Sequence, residues 1–156
     1  MKDKLTIILF SGELDKAITA FTLATTAAAS NMDVTIFFTF WGMNILKKER
    51  FALSASQKLL QKMFNFMSTS RLPISRLNMF GMGAWMMKKL MRKTNAASLM
   101  DLMNLARNLG VKYIACTTSC SVLGLTEENL TDEVDEFAGA ASYLNEAKEA
   151  KVNLFI

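Results

Sequence analysis

"KLTIILF", Lys4 to Phe10, is an unbroken apolar run that stops at Ser11-Gly12. A strand with apolar side chains on both faces must be covered on both, which is the condition of a parallel sheet flanked by helices. The following residues continue that rhythm. From Glu13 to Ser30, Leu14, Ala17, Ile18, Phe21, Leu23, Ala24 and Ala28 recur at helical spacing, and Asp15 stands in the first turn, where the helix dipole favours an acid. Asn31-Met32-Asp33 turns the chain, and Val34 to Phe40 is β-branched and aromatic enough for a second strand. Strand, helix and strand in that order predict a parallel pair joined by a right-handed crossover.

The rest of the chain extends the pattern. Leu53, Leu59, Leu60, Met63, Phe64 and Met67 predict an amphipathic helix, and "STSRLPISRLN", which holds the single proline, predicts a long loop. Met79 to Arg92 and Ala97 to Leu109 read as two further helices, divided at Thr94-Asn95 and closed at Gly110. Val111 to Cys116 is the next strand, followed beyond the cysteine segment by an acidic stretch, Glu127 to Glu136, a helix from about Gly139 to Ala150 and a last strand, Val152 to Ile156. The expectation is a three-layer α/β/α domain spanning residues 1–156, a length that buries roughly 70% of the surface of the unfolded chain.

Composition narrows the function classes. Hydrophobic residues are 51% and charged residues 21%, which suits a compact globule. No run reaches the ~18 to 20 apolar residues of a membrane span, since Val34 to Leu46 is too short and is interrupted by Trp41-Gly42. The N-terminal run ends at Phe10 without a small-residue cleavage site, so a strand is expected there rather than a secretory signal, and the expected location is cytoplasmic. The net charge of +4 is scattered except for "KKLMRK", Lys88 to Lys93, and no nucleic-acid partner is expected. The chain has no histidine, which excludes Cys-His and Ser-His nucleophile pairs and leaves a zinc site short of ligands. Nor is there a GxGxxG, GxxxxGK[ST] or GxSxG motif, so no cofactor and no metal are expected.

Chemistry then centres on "YIACTTSCSVLGL", Tyr113 to Leu125, which holds both cysteines. Open parallel sheets bind ligands at the carboxyl ends of their strands, and Cys116 sits at such an end. If a helix starts near Thr117 to Ser119, its N–H groups point toward the Cys116 sulfur and raise its thiolate fraction. The competing reading makes Cys116 a small buried hydrophobe. In a continuous helix the Cβ atoms of Cys116 and Cys120 lie ~6 Å apart, against the ~3.8 Å of an unstrained disulfide. Cys120 is therefore expected to pack inward, with a resolving thiol as the alternative.

The second notable segment is Met79 to Lys93. Wound at helical pitch, it collects Met79, Phe80, Met82, Met86, Met87, Leu90 and Met91 on one face and Lys88, Lys89 and Arg92 on the other, beside Trp85. The expectation is a cover helix with its apolar face in the core; a peripheral membrane contact is the other use of such a helix, and Trp85 among the cations suggests a subunit or partner contact.

Taken together, "LTIILFSGELDKAITAF", "VTIFFTFWGMNILKK", "MFGMGAWMMKKLM", "IACTTSCSVLGLTEENL" and "AASYLNEAKEAKVNLFI" resemble the DsrE/DsrF-like sulfur-relay family, in the branch often labelled peroxiredoxin-like. The resemblance implies a mainly parallel five-stranded sheet, a homo-oligomer, and sulfur carried as a persulfide on Cys116 between donor and acceptor proteins. It assigns nothing firm to Cys120, where methionine is common in the family, and no residue here matches a peroxide-reducing site. With strand ends converging, Ser11, Gly12, Thr39, Trp41, Thr117, Thr118 and Ser119 are the expected neighbours of the sulfur, Ser11 and Gly12 as hydrogen-bonding groups and Trp41 as a shield. Two rival readings stand beside the carrier: a non-catalytic oligomeric binding module with inert cysteines, and a dithiol oxidoreductase using Cys116 and Cys120.

Overall fold

The computed structural model describes residues 2–48, 72–76 and 79–156. The strands are β1 (Lys4–Leu9), β2 (Asp33–Phe38), β3 (Lys112–Cys116), β4 (Glu136–Ala138) and β5 (Val152–Phe155). They form one sheet in the order β4-β3-β2-β1-β5, and every adjacent pair is parallel. The helices are α1 (Leu14–Ala29), α2 (Met82–Lys93), α3 (Leu99–Asn108), α4 (Thr117–Leu123) and α5 (Ala140–Glu149). The amphipathic helix expected around Leu53 to Met67 lies outside the described residues.

The pleat divides the sheet's side chains between two apolar layers. Leu5, Ile7 and Leu9 of β1, Val34, Ile36 and Phe38 of β2, and Tyr113 and Ala115 of β3 join Ala17, Ala20, Phe21 and Ala24 of α1 and Leu102, Met103 and Ala106 of α3 in the larger one. The residues between them turn the other way. Phe37, Ile114, Cys116 and Ala138 meet Tyr143 of α5, with Ile8 and Ala147 against them. Continuous apolar strands are thus used on both faces, as a sheet between two helical layers requires.

Local chemistry stops the elements where the pattern indicates. Asn31 takes a left-handed backbone (φ 64°) after α1, Asn95 (φ 53°) divides α2 from α3, and Gly110 (φ 79°) follows α3. Ser98 and Asp101 form a reciprocal capping box at the start of α3. At the start of α1 the Leu14 N–H donates to the Pro73 carbonyl at 2.7 Å and Asp15 accepts from the Ser75 N–H at 3.0 Å, so residues 73–75 close the end of the helix that follows β1.

Three details depart from the sequence reading. The second strand ends at Phe38, because Phe40 adopts a left-handed backbone (φ 45°) and Phe40–Ile45 winds into a 3-10 turn. The fifth strand of the expected sheet, which no residue pattern located, is β4 at the end of the acidic stretch, Glu136–Ala138. The apolar face of α2 is also less covered than expected: Gly83 and Ala84 are buried, while Met82, Met86 and Leu90 are exposed.

Candidate functional site

Cys116 is the last residue of β3, aligned with Ala138 of β4, and it also caps the N-terminus of α4 with an extended backbone (φ −70°, ψ 117°). The strand pleat sends its side chain toward α5, beside Ile114, Phe37, Ala138 and Tyr143, where only 6% of the residue is exposed. The sulfur is walled by apolar groups on that side. On the other side, the first turn of α4 and the end of β2 bring polar groups to it.

Ser119 is the centre of that polar side. It is fully buried, its Oγ lies 2.9 Å from the Thr39 Oγ1, and it accepts a hydrogen bond from the Phe40 N–H at 2.9 Å. Thr39 is extended (φ −140°, ψ 151°), and the chain turns left-handed at Phe40, directly after this N–H. A bulky residue at positive φ is a strained backbone of the kind that accumulates at functional sites. Burial on its own pushes the Cys116 thiol up. The Ser119 hydroxyl and N–H, the Thr39 hydroxyl and the Thr118 N–H outweigh it and hold the thiol below its ordinary range. The groups that lower it are all neutral, so the thiolate is stabilised by directed hydrogen bonds rather than by a cation.

Cys120 has different surroundings. It belongs to the larger apolar layer with Leu123 and Leu125, 9% exposed. Burial, reinforced by the charge of Cys116, pushes its thiol up to about 11. Both cysteines are free thiols. Among the described residues no three His, Cys, Asp or Glu side chains gather as metal ligands.

The remaining expected neighbours divide into two sets. Thr39, Thr118 and Ser119 gather at the sulfur. Gly12 and Trp41 meet each other: a Cβ on Gly12 would stand 2.7 Å from the Trp41 carbonyl oxygen, so only glycine lets the turn after β1 lie against the turn after β2. Gly42, absent from the sequence-based set, is tighter still, since a Cβ there would fall 1.9 Å from the Leu9 carbonyl oxygen. Its N–H donates to the Phe10 carbonyl at 2.8 Å. Ser11 lies 3.3 Å from the Lys16 ammonium, which donates to its hydroxyl. Thr117 is exposed, and its carbonyl accepts from the Ser121 hydroxyl at 3.0 Å. Trp41 is partly exposed, as are Phe40 and Phe155, and the Phe10 ring bridges the last two at 5.7 and 5.8 Å between centroids.

Sequence reasoning missed the main-chain N–H of Phe40 and the cover supplied by Ala138 and Tyr143. No local signal marks a phenylalanine for a left-handed turn. "EFA" is too short for periodicity to reveal.

The family model for DsrE/DsrF/DrsH-like proteins matches residues 1–155. The chain belongs to this family. It is 45% identical over 154 residues to a Bacillus subtilis (strain 168) relative named Uncharacterized protein YrkE, covering 97% of this chain and 95% of that one. It is 35% identical over 157 residues to Sulfur carrier protein DsrE2 of Allochromatium vinosum, covering 98% of each. Among solved structures, the ychN protein from E. coli superposes with a TM-score of 0.57 at 11% identity over 99% of both chains. The protein MTH1491 from Methanobacterium thermoautotrophicum gives 0.55 at 8% identity over 98% of this chain and 99% of that one. At such identities these two likenesses establish the fold, a DsrE-like α/β architecture.

Proposed function

We propose that this DsrE-like protein is a cytoplasmic sulfur carrier whose Cys116 accepts sulfane sulfur as a persulfide and passes it to a partner protein. The observation that carries the reading is the strand-end thiol of Cys116, held below its ordinary range by the Ser119 and Thr39 hydroxyls and two amides. The DsrE2 relative, named a sulfur carrier, supports the same role. The Cys116 thiolate attacks the outer sulfur of a donor persulfide, a new S–S bond forms, and the donor's inner sulfur leaves as a thiolate. In the second half an acceptor thiolate attacks the outer sulfur and Cys116 departs as thiolate. No net oxidation or reduction occurs across the two halves. The neutral donors favour the thiolate both as nucleophile and as leaving group.

The exposed rings of Phe40, Trp41 and Phe155 supply an apolar rim at this end of the sheet, suited to a partner protein or another copy in a homo-oligomer. Cys120, in the opposite apolar layer with a raised thiol, argues against the dithiol reading. The test is intact mass after incubation with polysulfide. Wild type gains the mass of sulfur and Cys116→Ser does not; equal loading of the two ends the proposal.

A further inference from the structure

We propose that α2 docks this protein on an anionic lipid bilayer through the exposed stripe Met82–Met86–Leu90. These three side chains follow one another by single helical turns, so they share one line along the helix. Met82 is 55% and Leu90 54% exposed, and Met79 extends the apolar surface beyond the N-terminal end of the helix. Lys89 and Lys93 border the stripe at helical spacing, and Lys88 and Arg92 stand further round. Trp85, 61% exposed, lies under the Lys89 ammonium at 5.0 Å from ring centroid to nitrogen. No acid interrupts the helix.

Charge complementarity selects the occupant. Four cations and no anion on a three-turn helix fit a negatively charged surface. The apolar side chains between them are flexible and largely unbranched, which suits a fluid acyl boundary, and a tryptophan beside lysine is the pairing favoured where one end of a ring is apolar and the other wet. A second copy of this chain is the poorer match. Three acids of its 127–136 stretch are already engaged internally, Asp132 on Lys48 at 2.8 Å, Asp135 on Arg107 at 2.6 Å and Glu136 on Lys112 at 2.7 Å. No described helix is long and apolar enough to cross a membrane, so the contact is one of surface docking. Residues 73–75, which precede α2, are bonded to the start of α1 at the carboxyl end of β1.

The experiment uses the full chain with vesicles of phosphatidylcholine alone and of phosphatidylcholine mixed equally with phosphatidylglycerol. The protein should co-sediment with the mixed vesicles at low salt, be released by high salt, and stay in solution with the neutral ones. Partitioning should fall about fivefold for each cation removed in the series Lys88→Gln, Lys89→Gln and Arg92→Gln. Leu90→Glu should abolish it with the fold unchanged by circular dichroism. In a Trp41→Phe background, which leaves Trp85 as the single tryptophan, emission should shift to the blue on vesicle addition. No co-sedimentation with the mixed vesicles, or co-sedimentation indifferent to the cations and to Leu90→Glu, overturns the proposal. A change in oligomeric state of Leu90→Glu without lipid would assign the stripe to a second copy and overturn it equally.

Discussion

Around Cys116 the chain supplies hydroxyls and amides, whereas one helical turn later, around Cys120, it supplies leucines. The two thiols share a residue type, a buried position and a short stretch of sequence. Their thiols nonetheless move in opposite directions, below the ordinary range at Cys116 and up to about 11 at Cys120. Burial acts the same way on both, disfavouring the thiolate. The difference is made by donors, and the donors come from Thr39, just past β2, and the first turn of α4. Burial alone therefore does not make a cysteine inert, and closeness in sequence does not make two cysteines a redox pair.

The largest effect should separate the two thiols outright. Cys116→Ser is expected to lose all sulfur acceptance from polysulfide, while Cys120→Ala keeps most of it, as read by intact mass. Complete loss in Cys120→Ala together with a quantitative intramolecular disulfide in mildly oxidised wild type would break the contrast and restore the dithiol reading.

Stability against pH should show the next difference. The folded state holds the Cys120 proton more tightly than the unfolded chain, so its contribution is intact below about 9 and is lost as the pH rises toward about 11. The loss amounts to roughly 2 to 3 kcal/mol. Lys47, which burial pushes down to about 8, titrates in an overlapping window with the opposite sign. Subtracting the urea-unfolding profile of Cys120→Ala from that of wild type cancels the lysine and isolates the cysteine. A flat difference between those limits would contradict the raised thiol.

Removing donors should make Cys116 resemble Cys120. Ser119→Ala deletes one hydrogen bond to a charged sulfur, worth about 1.5 kcal/mol, or roughly tenfold in thiolate population at neutral pH. Iodoacetamide alkylation of Cys116 should slow by that factor at neutral pH and converge with wild type at alkaline pH, its profile displaced upward. Thr39→Val should produce a smaller displacement in the same direction, because Ser119 and the two amides remain. An unchanged profile in both variants would mean that the hydroxyls position the turn without holding the thiolate.

Much of this molecule is written in short-range pattern. Apolar runs mark β1, β2 and β3, helical spacing marks α1 and α3, and the approach of an apolar strand to "CTTSC" puts Cys116 at a strand end before a helix begins. These features depend on side-chain periods of two and 3.6 within one segment, which adjacent residues determine between themselves. Tertiary structure decided the rest. Thr39 and Ser119, far apart in sequence, meet because β2 and β3 are neighbours in register, and the Phe40 N–H that bonds Ser119 opens a left-handed turn that phenylalanine does not prefer by itself. β4 is three residues long and exists as a strand through its pairing with β3. Periodicity likewise groups Met82, Met86 and Leu90 on one face of α2 and is silent on whether anything covers that face. Hydrogen-bond partners, strained turns and uncovered faces depend on which distant segments arrive, and that is settled only when the whole sheet has assembled.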